Sequence, residues 1–309
     1  MPKSKTEPQP EKLSVANSFV SLLIGAVAAD LVLLFLNLGL RELWLPVFET
    51  GGRVFRALTF SGIVGGVATA IAARGVRGPL APAACALGWG VWGLLQHVTA
   101  SGSFKNLPFV AAEPAARLPL IATATILNLG IFHPPCVAFG LLIAAVAAWI
   151  TDQKIFAPQR AAASTTEAPS PSGKPTAVFL QASSYPLLTA VLGLVLISVL
   201  GLLLLLLPQF NADQLPMHVS RAWLCAAVSL CAFAVTAYVI RSRLRPAGSI
   251  GYLMAAPIVI VFSSWLIVKT QGQLVLLEPM KRLLWNSSPF ELACWGALGA
   301  ACGYWAAED

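Results

Sequence analysis

Charge is what this sequence has least of. Of its 309 residues, 11% are Asp, Glu, Lys or Arg, against 57% that are hydrophobic. A soluble domain carries about 25% charged residues, so the chain lacks the polar surface needed to cover a water-soluble globule. Histidine is scarcer still, with three residues. His97 ends one apolar run and His133 lies inside another, so no pair stands at the matched depth that two haem ligands require. The six cysteines (Cys85, Cys136, Cys225, Cys231, Cys294 and Cys302) fall within apolar segments and form no CxxC or Cys/His spacing. They read as small buried packing residues. HExxH, GxSxG, Walker and kinase signatures are all missing. No cofactor or metal site is expected, and an intramembrane enzyme is disfavoured.

Two further absences narrow the class. The apolar segments lack the in-out alternation, over about ten residues at a time, of a transmembrane β-barrel. The net charge of +7 is not interleaved with aromatic residues as in a base-stacking surface. Lys and Arg instead sit at the ends of apolar blocks, as orientation signals do. Nucleic acid is therefore excluded as a partner, and the lipid bilayer is expected.

What the chain does have is long apolar blocks. With a mean hydropathy of +0.77, it reads as all-α, a polytopic integral membrane protein with eight transmembrane helices. The expected crossings are about Ala16–Leu40, Val54–Ala73, Pro79–Val98, a fourth ending at Ile150, Tyr185–Leu207, Val219–Ile240, Ser249–Val268 and Pro289–Ala307. A polar tail, 1–15, precedes them. The Pro-, Ser- and Ala-rich stretch 151–184 cannot bury a core and reads as a flexible linker. Ala26-Val27-Ala28 resembles a signal cleavage site, but the apolar run continues past it, so a retained first helix is expected.

A duplicated hexamer gives the blocks their order. Glu113-Pro114-Ala115-Ala116-Arg117-Leu118 and Glu278-Pro279-Met280-Lys281-Arg282-Leu283 both read E-P-x-x-R-L, 165 positions apart. The same offset pairs Val54, Arg56 and Ala57 with Val219, Arg221 and Ala222. Tandem duplication is the expected origin, giving two four-helix bundles, 16–150 and 185–307. Each is expected to carry a short extracytoplasmic interfacial helix before its last crossing. Pro at the first helical position and a Glu–Arg pair four residues apart suit such a helix in both Glu113/Arg117 and Glu278/Arg282. Gly62/Gly66 and Gly299/Gly303 are small-xxx-small pairs expected to bring helices close together.

Three residues stand out as candidates for chemistry. Asp30 is a carboxylate near the middle of the first crossing, where ionisable groups are costly and point to function. Val195 stands at the matching position of the second half. His133-Pro134-Pro135 interrupts the apolar run that leads to Ile150. Such breaks mark binding sites in transporters, with Asn128 and His133 beside this one. The tripeptide resembles the signature of the HPP family of four-helix membrane proteins over those three residues alone. Cys136-Val137-Ala138-Phe139 departs from that family's small-residue continuation, and no assignment is drawn.

Arg74/Arg77 and Arg241/Arg243/Arg245 occupy short turns without acids, which places those turns in the cytoplasm. Both termini and the linker follow them, in a bacterial inner membrane. The expected function is a transporter or channel-like protein for a small solute or ion, with a pathway between the bundles near Asp30, Asn128 and His133. The alternative is a non-catalytic scaffold subunit that packs against other membrane subunits or its own copies. An epitope tag placed just after Trp149 should be reached from the same side of the membrane as Met1. Recovery from opposite sides would overturn the four-crossing assignment of the first half.

Overall fold

The computed structural model describes residues 15–38, 47–75, 79–99, 133–158, 186–205, 218–244, 250–270 and 288–307. Among the described residues every regular element is helical. The helices are α1 (Val15–Phe35), α2 (Val47–Ala72), α3 (Leu80–Thr99) and α4 (His133–Thr151), followed by α5 (Pro186–Leu205), α6 (His218–Val239), α7 (Ile250–Thr270) and α8 (Pro289–Ala306). Four stretches are long and apolar enough to cross a bilayer: Asn17–Phe35, Gly52–Ala72, His133–Phe156 and Trp223–Arg243. Their outward faces carry large apolar side chains. On α1 these are Phe19, Leu23, Val27, Leu31 and Phe35, while Leu22, Ala26, Ala29 and Leu33 are buried. Large apolar side chains on the outward face, with alanines among the buried residues, fit a helix solvated by lipid. Among the described residues the protein is all-helical, and its four long apolar helices are those of an integral membrane protein.

Local chemistry sets several helix ends differently from the sequence expectation. α1 stops at Phe35 because Asn37 enters the left-handed region (φ 51°). The Leu38 and Asn37 amides then donate back to the Leu33 and Leu34 carbonyls, which closes a Schellman motif. Arg74 (φ 53°) ends α2 in the same way, with Gly75 donating to Ala70 and Arg74 to Ile71. α2 begins at Val47, well before the expected Val54. From its second turn Arg53 donates to the Leu36 and Asn37 carbonyls at 3.0 and 3.1 Å, satisfying the orphan acceptors at the end of α1.

The described part of the His-Pro-Pro stretch begins a helix, and the apolar run that it was expected to break lies, before His133, outside the described residues. α4 opens at His133, so Pro134 and Pro135 occupy first-turn positions whose amides have no intrahelical partner. The helical path also runs past Thr151, through a π-helical turn at Asp152–Phe156 to Pro158, into residues expected to be linker. The remainder of 151–184, the segment before His133 and both E-P-x-x-R-L stretches lie outside the described residues.

α3 packs on α1, α2, α4, α6 and α8, and α8 packs on α3, α4, α6 and α7. The closest helix pairs meet backbone to backbone at glycine. A Cβ added at Gly62 would come within 2.6 Å of the Gly140 carbonyl oxygen, and one at Gly66 would collide with that of Ala144. Gly299 and Gly303 face the carbonyls of Leu230 and Ala234 in the same manner.

The order of these meetings fixes directions. α2 runs parallel to α4, and α6 parallel to α8. Ser61 and Arg53 of α2 reach Ala29 and then Leu36 of α1, so those two helices are antiparallel. Gly90 and Gly93 of α3 meet Trp295 and Glu291 of α8, an antiparallel pair.

Gly66→Ile and Gly303→Ile should each lower the melting temperature in detergent, since overpacking costs about 1–3 kcal/mol. Gly52→Ala, whose added carbon would meet nothing within 4 Å, should not lower it. If Gly66→Ile melts like wild type, the close approach is wrong.

Candidate functional site

α3 is notched by three glycines, and each notch receives a side chain from another helix. A Cβ at Gly88 would stand 2.9 Å from Oδ1 of Asp30 on α1. One at Gly90 would stand 2.9 Å from Cε2 of the Trp295 indole on α8. One at Gly93 would stand 2.6 Å from Cγ and 2.8 Å from Oε1 of Glu291, also on α8. Only a helix lacking Cβ atoms at these positions can admit two carboxyls and an indole so close to its backbone.

Asp30 is partly buried, but its Oδ1 is fully enclosed and has no hydrogen-bond partner among the described residues. Beside it a buried relay ties three helices together. Trp89 donates its indole N–H to Ser61 Oγ at 2.6 Å, and Ser61 donates to the Ala29 carbonyl at 2.9 Å. Trp92 donates to the Leu38 carbonyl at 2.9 Å. These bonds join α3 to α1 and α2 and hold the turn of α1 that carries Asp30. The thiols of Cys85 and Cys294 lie within electrostatic reach of the Asp30 carboxyl, and Cys294 also lies within reach of Glu291.

Glu291 is the residue that sequence reasoning missed. It is completely buried and is held by a capping box at the start of α8. Ser288 Oγ accepts from the Glu291 amide at 3.2 Å, while Glu291 Oε2 accepts from the Ser288 amide at 3.0 Å. Ser288-Pro289-Phe290-Glu291 fits the S-x-x-E cap with Pro at the first helical position, so the cap was legible. Its burial against Gly93 was not, because no local pattern says which helix α8 meets.

His133 is completely buried, and neither ring nitrogen has a hydrogen-bond partner among the described residues. It does not join Asp30. α1 and α4 do not pack side by side, since α2 and α3 stand between them. Gly140 lies level with Gly62, one residue from the Ser61 that reaches Ala29, and His133 is seven residues earlier. At 1.5 Å per residue that offset is about 10 Å along the bundle axis. Asn128 lies outside the described residues, as do Glu113, Arg117, Glu278 and Arg282. Among the described residues no group of three His, Cys, Asp or Glu side chains could hold a metal ion. No family model, curated protein or solved structure matches the chain.

Ser61→Ala should leave the Trp89 N–H buried without its acceptor and destabilise the protein by about 1–3 kcal/mol, read as a lower denaturation midpoint in detergent. Thr59→Ala, which removes only a bond to its own helix at Phe55, should have little effect. Equal midpoints for Ser61→Ala and wild type would remove the relay from the account of how α1 is held.

Proposed function

We propose that the chain is a transporter or channel-like protein for a small ion, built from two related four-helix units and working where the units meet. One observation carries this: Asp30 of α1 and Glu291 of α8, one carboxyl from each half, are set into the same helix, α3. Intramembrane carboxyls are expensive and persist where they bind or relay ions. Had their role been to hold helices together, serine or threonine would suffice, as Ser61 and Ser229 do in bonding across helices to Ala29 and Leu292.

The two-unit architecture has support of its own. When α1 to α4 are matched in order with α5 to α8, most packing partners match too. α2 on α4 corresponds to α6 on α8, α1 on α3 to α5 on α7, and α3 on α8 to α7 on α4. The antiparallel direction of α3 against α8, which come from different halves, agrees with units standing the same way up in the membrane. On this reading all eight helices cross the bilayer. Both termini face the cytoplasm, in a bacterial inner membrane.

A scaffold subunit is the second reading, and a specific observation favours it. Asp30 and His133, the two groups expected to share a pathway, do not meet, and most described hydroxyls are spent on helix bonds. Reconstituted vesicles separate the two. Asp30→Asn and Glu291→Gln should each reduce ion flux at least tenfold while leaving the melting temperature near that of wild type. Flux unaffected by both, or no flux in wild type under any ion gradient, would leave the scaffold reading in possession.

A further inference from the structure

Resting on the ion-transport reading, we infer that the ion held at Asp30 is a proton, and that no metal cation binds there. The surroundings of the carboxyl decide this by what they can supply. A sodium- or calcium-like cation needs a shell of several oxygens, six or more for calcium. Among the described residues the oxygens around Asp30 are few and already used. The Ser61 hydroxyl is committed to Ala29 and to the Trp89 indole. The Ala26 carbonyl, which also faces Gly88, lies inside α1, where it accepts the next turn's amide. Glu291 meets α3 at Gly93 rather than Gly88, an axial separation of about 7.5 Å, so the two carboxyls do not close on one ion.

The charges that face Asp30 give the same answer. From α3 the titratable neighbour is Cys85 and from α8 it is Cys294, while Glu291 stands further along α3 at Gly93. From α2 it is Ser61, which does not titrate. The cations of α2 lie at its far end: Arg53 is occupied with the Leu36 and Asn37 carbonyls, and Arg56 with Gly52. None of the neighbours named is a cation, so none neutralises an ionised Asp30. A proton needs one oxygen, neutralises the group outright and allows Oδ1 to stay enclosed.

Labelling with a hydrophobic carbodiimide tests the inference on the purified full-length protein, without any need for transport. The reagent adds to a protonated carboxyl in an apolar setting and leaves a stable N-acylurea, which mass spectrometry assigns to a residue. At neutral pH Asp30 should be labelled, equally in sodium, potassium, calcium or choline salts. The label should be lost in Asp30→Asn and retained in Asp30→Glu, which guards against a misfolded Asn variant. Protection by any one of the metal cations would assign the site to that cation and overturn the inference. Absence of label at neutral pH, with label appearing only in acid, would show an ionised carboxyl and overturn it as well. If Asp30 labels as expected but vesicles show no flux, the transport reading fails and the proton site stands.

Discussion

Close approach of helix backbones at glycine is the constraint on which the rest depends. In lipid there is little hydrophobic gain from bringing two apolar helices together, so packing contacts must be dense to hold them. The carbonyls of Gly140 and Ala144 lie in the grooves left by Gly62 and Gly66, and those of Leu230 and Ala234 in the grooves left by Gly299 and Gly303. These two interfaces bring α2 to α4 and α6 to α8. With each pair fixed, α3 and α8 are left facing one another in the middle of the molecule, where α8 is buried along nearly its whole length. A helix enclosed by protein on all sides need not be strongly apolar. That explains why α8, rich in Gly and Ala and bearing Glu291, is absent from the stretches apolar enough to be picked out as crossings.

The same device creates the polar site. Glycine at 88, 90 and 93 leaves the α3 backbone open, and the openings are filled by Asp30, Trp295 and Glu291. A carboxyl placed against bare backbone, rather than among hydroxyls or amides, is poorly solvated. Its Oδ1 is therefore left with an unmet demand for hydrogen bonding. The nearby Ser61 hydroxyl is already engaged in the Trp89–Ser61–Ala29 relay.

Much of the fold was legible in the sequence because lipid imposes simple rules. The apolar runs beginning near Ala16, Pro79, Tyr185 and Pro289 became helices within a few residues of where hydropathy put them. The errors came from places where local chemistry overrode hydropathy. Asn37 ends α1 short of the expected Leu40 through a left-handed residue that is no composition signal. α2 starts at Val47 rather than at the expected Val54. At His133-Pro134-Pro135 the prolines sit in the first turn of α4, and the residues before them lie outside the described ones. The site was half legible. Asp30 announced itself as an isolated charge, and Glu291 was hidden in what read as an ordinary cap. Pairing either with α3 required knowing which faces meet, and no pattern along a single chain carries that.

The two glycine-lined interfaces are built in opposite senses. Of α2 and α4 it is the earlier helix, α2, that supplies the Gly-xxx-Gly groove, whereas of α6 and α8 it is the later one, α8. Grafting α8 into the place of α4 would set two grooves face to face and leave a void, and the reverse graft would offer α6 no groove to enter. Sequences that drift at one such seam must therefore drift as matched partners, so the helices of the two pairs are not exchangeable parts.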